Sequence, residues 1–293
     1  MTPGPCPSPT PTRTRPDLCP GVTRPWPADD GALVRVRLVG GRVSSSALVA
    51  LSEVAQAYGD GDLHVTGRAN LQLRALPWSG GELAPEAAAA IEATGLLPSR
   101  SHELVRNVLV SPGTGLAGGR ADLRPVAAAL DSLLCSDPAL ADLPGRFLFV
   151  LDDGRGDLVG RSCDLGLVAL SASTGQVRIG SHGWGALLPL ADAPLALVAL
   201  ADRFLRCRGT GPTAPWHVDE LPTDALTRLP RDPRVPVATG AAAYGVVAGG
   251  EHVPAPDGVL SPALVTRLAG RAPELVVTPW RGVLVPRVTR VAR

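Results

Sequence analysis

The sequence predicts an α+β fold in which a half-domain, ferredoxin-like in size, occurs twice and flanks a middle α/β section. Three observations lead there. Period-two apolar stretches alternate with helical spacings between residues 29 and 98. Residues 103–210 carry a second mixture of strand-like and helical runs. Residues 244–286 then resemble residues 34–73 in wording and order.

The first 28 residues hold nine Pro and almost no aliphatic side chains before Leu18 and Val22, which reads as a disordered lead-in. From Ala32 to Val39 the chain alternates as a strand and ends at the turn Gly40-Gly41. Leu48, Leu51, Val54 and Ala55 are spaced as one face of a helix over 45–58, capped by one of the preceding serines. Residues 63–76 resume a period of two, and Pro85 opens a second helix over 85–94. In the middle section, 105–111, 147–152, 165–171 and 176–180 read as strands, with helices over 123–135 and 191–206. A connector rich in Pro and polar residues follows at 211–235, and the second half-domain occupies 236–293. There, residues 244–250 echo 34–41, a helix spans 261–268, and Thr278, like Thr66 before it, enters a strand.

Composition excludes several functions. The chain has 28 basic and 27 acidic side chains, net charge +1, and 3% aromatics. A nucleic-acid binder usually needs a basic stripe and stacking rings. No uninterrupted apolar run reaches the length of a membrane span, and the N-terminus lacks a charged segment followed by an apolar one. The expected location is cytoplasmic, with neither nucleic acid nor membrane as a partner. Every basic residue is Arg, and the chain uses Asn only at Asn70 and Asn107. Against that bias, the rare residues carry the information.

The strands of the first half-domain divide sharply by face. Val34, Val36 and Leu38 share one side, and Arg35 and Arg37 the other. On the later strand Leu71 and Leu73 oppose Arg68, Asn70, Gln72 and Arg74. No Asp or Glu lies on either strand to neutralise these guanidinium groups. Guanidinium forks match carboxylates in pairs of hydrogen bonds, so the chemistry points to a polycarboxylate held on a sheet face. A solvated sheet face is the plainer alternative. Arg106 and Asn107 at the start of the middle section, and Arg146 before one of its strands, are further polar candidates.

Four motifs now stand in order: Thr66-Gly-Arg-Ala-Asn-Leu-Gln-Leu-Arg74, Arg106-Asn-Val108, Leu143-Pro-Gly-Arg-Phe147 and Thr278-Pro-Trp-Arg281. Together they resemble the nitrite and sulfite reductase haemoprotein superfamily, and most nearly the precorrin-3B synthases. The resemblance covers about residues 17–288. It implies a duplicated unit, in which a ferredoxin-like half-domain is followed by a sulfite-reductase-type α/β domain. It implies sirohaem or iron and a [4Fe–4S] cluster as cofactors. Its substrate would be a tetrapyrrole, precorrin-3A or a sirohaem-like relative, oxidised with molecular oxygen during aerobic cobalamin biosynthesis. By motif position Arg37, Arg68 and Arg106 match the family's anion-binding arginines, and Arg146 stands in place of a family Lys. Leu148 replaces a second one. Thr278 and Arg281 are the second-repeat counterparts.

The cysteines break the resemblance. The family holds its cluster with Cys-x5-Cys and a later Cys-x3-Cys, whereas Cys6, Cys19, Cys135, Cys163 and Cys207 match neither spacing. They read as ordinary thiols, and the five scattered His suggest no metal ligands. Three of the family's four segments are thus expected. The chain is then a shortened oxidoreductase of precorrin-3B synthase type, a non-catalytic tetrapyrrole-binding protein, or one part of a split enzyme whose partner chain supplies the cluster domain. A nitrite or sulfite reductase-like protein is the further alternative.

Overall fold

The computed structural model describes residues 17–211 and 213–287. In chain order, β1 (Trp26–Ala28) and β2 (Gly31–Val36) form a hairpin, followed by β3 (Arg42–Ser44) and helix α1 (Ser45–Tyr58). Then come β4 (Leu63–Val65), β5 (Leu71–Leu76), the small hairpin β6 (Trp78–Ser79) and β7 (Glu82–Leu83), and α2 (Pro85–Ala93). The middle of the chain supplies β8 (Val108–Val110), α3 (Arg124–Ser136), β9 (Phe149–Asp152), β10 (Leu165–Ala169), β11 (Thr174–Ile179), β12 (Gly183–Pro189) and α4 (Ala193–Arg208). The last part holds β13 (Gly245–Val247), β14 (Gly250–Pro254), β15 (Val259–Leu260), α5 (Pro262–Ala269), β16 (Glu274–Thr278) and β17 (Gly282–Pro286).

These elements fall into two compact units that interleave along the chain. Among the described residues, one gathers Pro20–Glu103, Pro112–Gly118 and 240–287; the other gathers 17–19, Leu104–Ser111 and Gly119–Thr239. The two segments read as half-domains therefore share one unit.

That paired-sheet unit holds two five-stranded sheets, ordered β1-β2-β5-β4-β15 and β13-β14-β17-β16-β3. All the pairings are antiparallel. In each sheet a hairpin leads, two further strands follow, and the outermost strand comes from the other half of the sequence. The same turn precedes both exchanged strands. Gly40 (φ 62°) and Gly41 (φ 70°) lead into β3, and Asp257 (φ 53°) and Gly258 (φ 78°) lead into β15. Each turn is followed by a serine N-cap, Ser44 accepting from the Ala47 N–H at 3.1 Å and Ser261 from that of Leu264 at 3.3 Å. The pair matching Gly40-Gly41 is thus Asp257-Gly258 rather than Gly249-Gly250. The latter pair leads into β14, of which Gly250 is the first residue, and so stands at the start of the strand instead of after it.

Helix α1 follows its expected spacing, burying Leu48, Leu51, Val54 and Ala55. It packs against α5, which buries Leu264, Val265 and Leu268. Each buried leucine contributes roughly 1.5–3 kcal/mol of transfer free energy.

The α/β unit centres on the sheet β12-β11-β10-β9-β8. β8, β9 and β10 run parallel, and every residue of the three is buried. That is the pattern of strands covered on both faces. Phe147, Phe149 and Phe204 meet in its core, with ring centroids 4.9–5.2 Å apart.

One further expectation changes. Of the lead-in, residues 1–16 lie outside the described residues, but 17–28 are ordered. β1 pairs with β2, and the Glu103 carboxylate accepts the Val22 N–H at 2.8 Å and the Thr23 N–H at 2.5 Å. Proline content had hidden a capped turn. The chain after α4 is tied to the α/β unit by hydrogen bonds. Leu229 N–H donates to Trp184 O at 2.7 Å, Gln176 bonds both Pro230 O and Asp232 N–H, and Thr239 N–H donates to Gly156 O at 2.9 Å.

Candidate functional site

The face proposed from the strand pattern exists in part. Ala32, Val34 and Val36 of β2 are fully buried, as are Leu71 and Leu73 of β5, so Arg35 and Gln72 lie on the outer side. Arg35, Gln72 and His64 are cross-strand neighbours in one row. Arg74, two residues beyond Gln72 along β5, is exposed. Among the described residues neither Arg35 nor Arg74 has an ion pair, and Arg35 Nε is buried without a hydrogen-bond partner. His64 is taken by Asp60 at 2.7 Å.

Other predicted members sit elsewhere. β2 ends at Val36, and Arg37 turns inward, its guanidinium donating to Pro20 O at 3.2 Å and Arg35 O at 3.4 Å. Arg68 and Asn70 belong to the turn between β4 and β5, not to a strand. Thr66 builds that turn. Its hydroxyl accepts the N–H groups of Arg68 and Asn70, its own N–H donates to Asn70 O, and Ala69 takes φ 58°. Arg68 is half-buried there, next to the start of β5. Asn70 is 1% exposed, and its Oδ1 accepts the Leu38 N–H at 2.9 Å. The residue is a clamp between chain segments, not a side chain presented to a ligand.

Arg106, Asn107 and Arg146 belong to the α/β unit. Arg106 is already matched by a bidentate pair with Asp131, both contacts at 2.7 Å. Burial works against its charge, yet Asp131 and the neighbouring Cys135 raise its pKa above the ordinary value. Asn107, also 1% exposed, donates to Gly145 O at 2.8 Å and Leu104 O at 3.2 Å, tying the Leu143–Phe147 loop to β8. Arg146 lies in that loop, before β9 begins, with its guanidinium 4.7 Å from the Trp216 ring centroid. Leu148 is buried in the core.

In the second half, Thr278 is buried and bonds His252 Nε2 at 2.9 Å, while Arg281 is exposed in the turn between β16 and β17 at φ 58°. Its place in the strand order matches Ala69, which has the same φ, and not Arg68; Trp280 occupies the Arg68 place. The row matching Arg35, Gln72 and His64 is His252, Leu284 and Val276, all buried. Tyr244 stacks on His252 with centroids 4.6 Å apart. The second face is closed by these groups, whereas the first offers open cations. Sequence reasoning missed His64, His252 and Trp26, because partners across strands are set by register rather than by local wording.

The cluster implied by the resemblance does not fit. Among the described residues no group of three or more His, Cys, Asp or Glu side chains is arranged to hold a metal ion. Of the free thiols, Cys19 precedes β1, Cys135 is on α3 and Cys163 lies in the loop between β9 and β10. Burial pushes the Cys163 thiol up to about 12, the opposite of what a thiolate ligand needs. No described helix is long and apolar enough to cross a membrane.

The open cationic face thus lies on a ferredoxin-like half-domain within an α/β fold of several sheets. Residues 27–79 match the family model for the nitrite/sulfite reductase ferredoxin-like half domain, and this segment of the chain is homologous to it. A precorrin-3B synthase of Sinorhizobium sp is 30% identical over 167 residues, 56% of this chain and 35% of that protein. The solved structure of the Mycobacterium tuberculosis NirA protein has a TM-score of 0.64 at 18% identity, covering 93% of this chain and 60% of that one. The chain therefore spans about a third of the curated relative, and the NirA likeness is one of fold.

Proposed function

We propose that the chain binds the carboxylates of a polycarboxylate tetrapyrrole on the outer face of the β2–β5–β4 strands. In this reading it is one part of an oxidoreductase of precorrin-3B synthase type in aerobic cobalamin biosynthesis. One observation carries the reading: Arg35 and Arg74 flank Gln72 on an outer face whose strands bear no acid, and Arg35 Nε is buried with no partner. Desolvated donors of this kind favour an anionic acceptor. Arg68 in the adjoining turn adds to the set. The half-domain homology and the similarity to a precorrin-3B synthase support the choice of tetrapyrrole over another polyanion. The shared strand order and exchanged outer strands support an internal duplication in which the second copy has lost its open face. No step is routed through an iron–sulfur cluster, which the described residues do not fit.

The test is a fluorescence titration with two free-base porphyrins, octacarboxylate uroporphyrin and tetracarboxylate coproporphyrin. Uroporphyrin should bind more tightly and weaken more steeply with salt. Equal affinity and no salt dependence would defeat the reading. Reconstitution with iron and sulfide should leave the visible spectrum flat, as one part of a split enzyme requires; broad absorbance would mean a self-sufficient enzyme and contradict that part of the reading.

A further inference from the structure

The carboxylate face adjoins two side chains that have no place in either the core or the arginine set. Trp26 is the antiparallel partner of Leu33, and such partners share a face. Because Ala32, Val34 and Val36 point into the core, Leu33 and Trp26 lie on the outer side with Arg35. Trp26 is 40% exposed, on the edge strand, and Leu33 is half-buried. The register between β2 and β5 shifts between Ala32 and Val34, so Arg74 and Ala75 together oppose Leu33. Ala75 takes φ 55°, and its backbone would lie 2.8 Å from a Cβ on Gly31, which is why glycine stands there. The irregularity brings Arg74 onto the flank of the apolar pair.

We propose that Trp26 and Leu33 form a ledge against which the ring of the ligand lies while Arg35, Gln72 and Arg74 take its carboxylates. This deepens the carboxylate-binding reading and rests on it. The face then selects a flat macrocycle with acidic side chains and discriminates against a flexible polyanion. An indole offers broad, rigid contact area, and ring stacking on it tolerates variation in the ring's substituents.

The experiment measures uroporphyrin and citrate binding to the full chain and to Trp26→Ala, Trp26→Gln, Trp26→Phe and Arg35→Ala, each checked for folding by circular dichroism. Trp26→Ala and Trp26→Gln should weaken uroporphyrin about tenfold and leave citrate unchanged, with Trp26→Phe keeping most of the affinity. Arg35→Ala should weaken both ligands. Wild-type uroporphyrin affinity in Trp26→Ala or Trp26→Gln, with Arg35→Ala still impaired, overturns the ledge alone. An unimpaired Arg35→Ala overturns the carboxylate reading beneath it.

Discussion

Asn70 and Asn107, the chain's only asparagines, both bond backbone groups of other chain segments from buried positions. Removing either leaves buried backbone groups unsatisfied, at a cost of about 1–3 kcal/mol. Urea unfolding of Asn70→Ala and Asn107→Ala should show that loss. Porphyrin affinity per folded molecule should change less than in Arg35→Ala. Stabilities equal to wild type would contradict the clamp role. Gly41 is constrained differently. At φ 70° an added Cβ would meet Val277 O at 2.1 Å, so Gly41→Ala should destabilise more than either asparagine change. Rarity marked the asparagines in the sequence, but it could not give their direction. A period-two reading placed Asn70 on a strand face, whereas the Thr66 hydroxyl closes a turn there and sends the side chain inward. Arg35 and Gln72 were legible because their neighbours on β2 and β5 are all apolar and alternate cleanly.

At the scale of elements, two buried titratable groups give the two units opposite responses to pH. In the loop after β9, burial first, and then the charge of Asp152, push Asp157 from 3.8 up to about 7, despite the Ser111 hydroxyl donated at 2.6 Å and nearby Arg155. The folded unit holds this proton more tightly than the unfolded chain. Its contribution is therefore full below pH 3.8 and is lost as pH rises toward 7. Asp157→Asn should raise the melting temperature at about pH 8 and gain little at about pH 4. A gain independent of pH would contradict the assignment. His252 acts in the other direction. Burial lowers its pKa below 6.5, although its Nδ1 faces the Ala242 and Ala243 carbonyls at 3.2 Å. The unfolded chain takes up the proton first, so the paired-sheet unit should lose stability as pH falls below 6.5. A melt of the wild type against His252→Gln over that range checks it; parallel curves would contradict it. The main helices and the buried strands of the α/β unit were readable from spacing. The exchanged strands β3 and β15 were not, being two or three residues long and defined only by partners distant in sequence.

At the scale of the whole molecule, one half-domain face carries open cations while its counterpart is closed by His252, Leu284 and Val276. The expectation of a tetrapyrrole site therefore narrows to Arg35, Gln72 and Arg74, with Arg68 adjoining. Arg106 is committed to Asp131, and Arg37 to backbone carbonyls. The resemblance between the two segments could be seen in the sequence, but not which face stays open, because that depends on which side chains meet across the strands. The most direct measurement compares uroporphyrin affinity in the wild type, the double variant Arg35→Ala/Arg74→Ala, and Arg106→Ala. The account expects the double variant to lose on the order of a hundredfold in affinity. Arg106→Ala should bind within about threefold of wild type while losing stability. Equal binding by the double variant and the wild type, or a greater loss in Arg106→Ala, would contradict it.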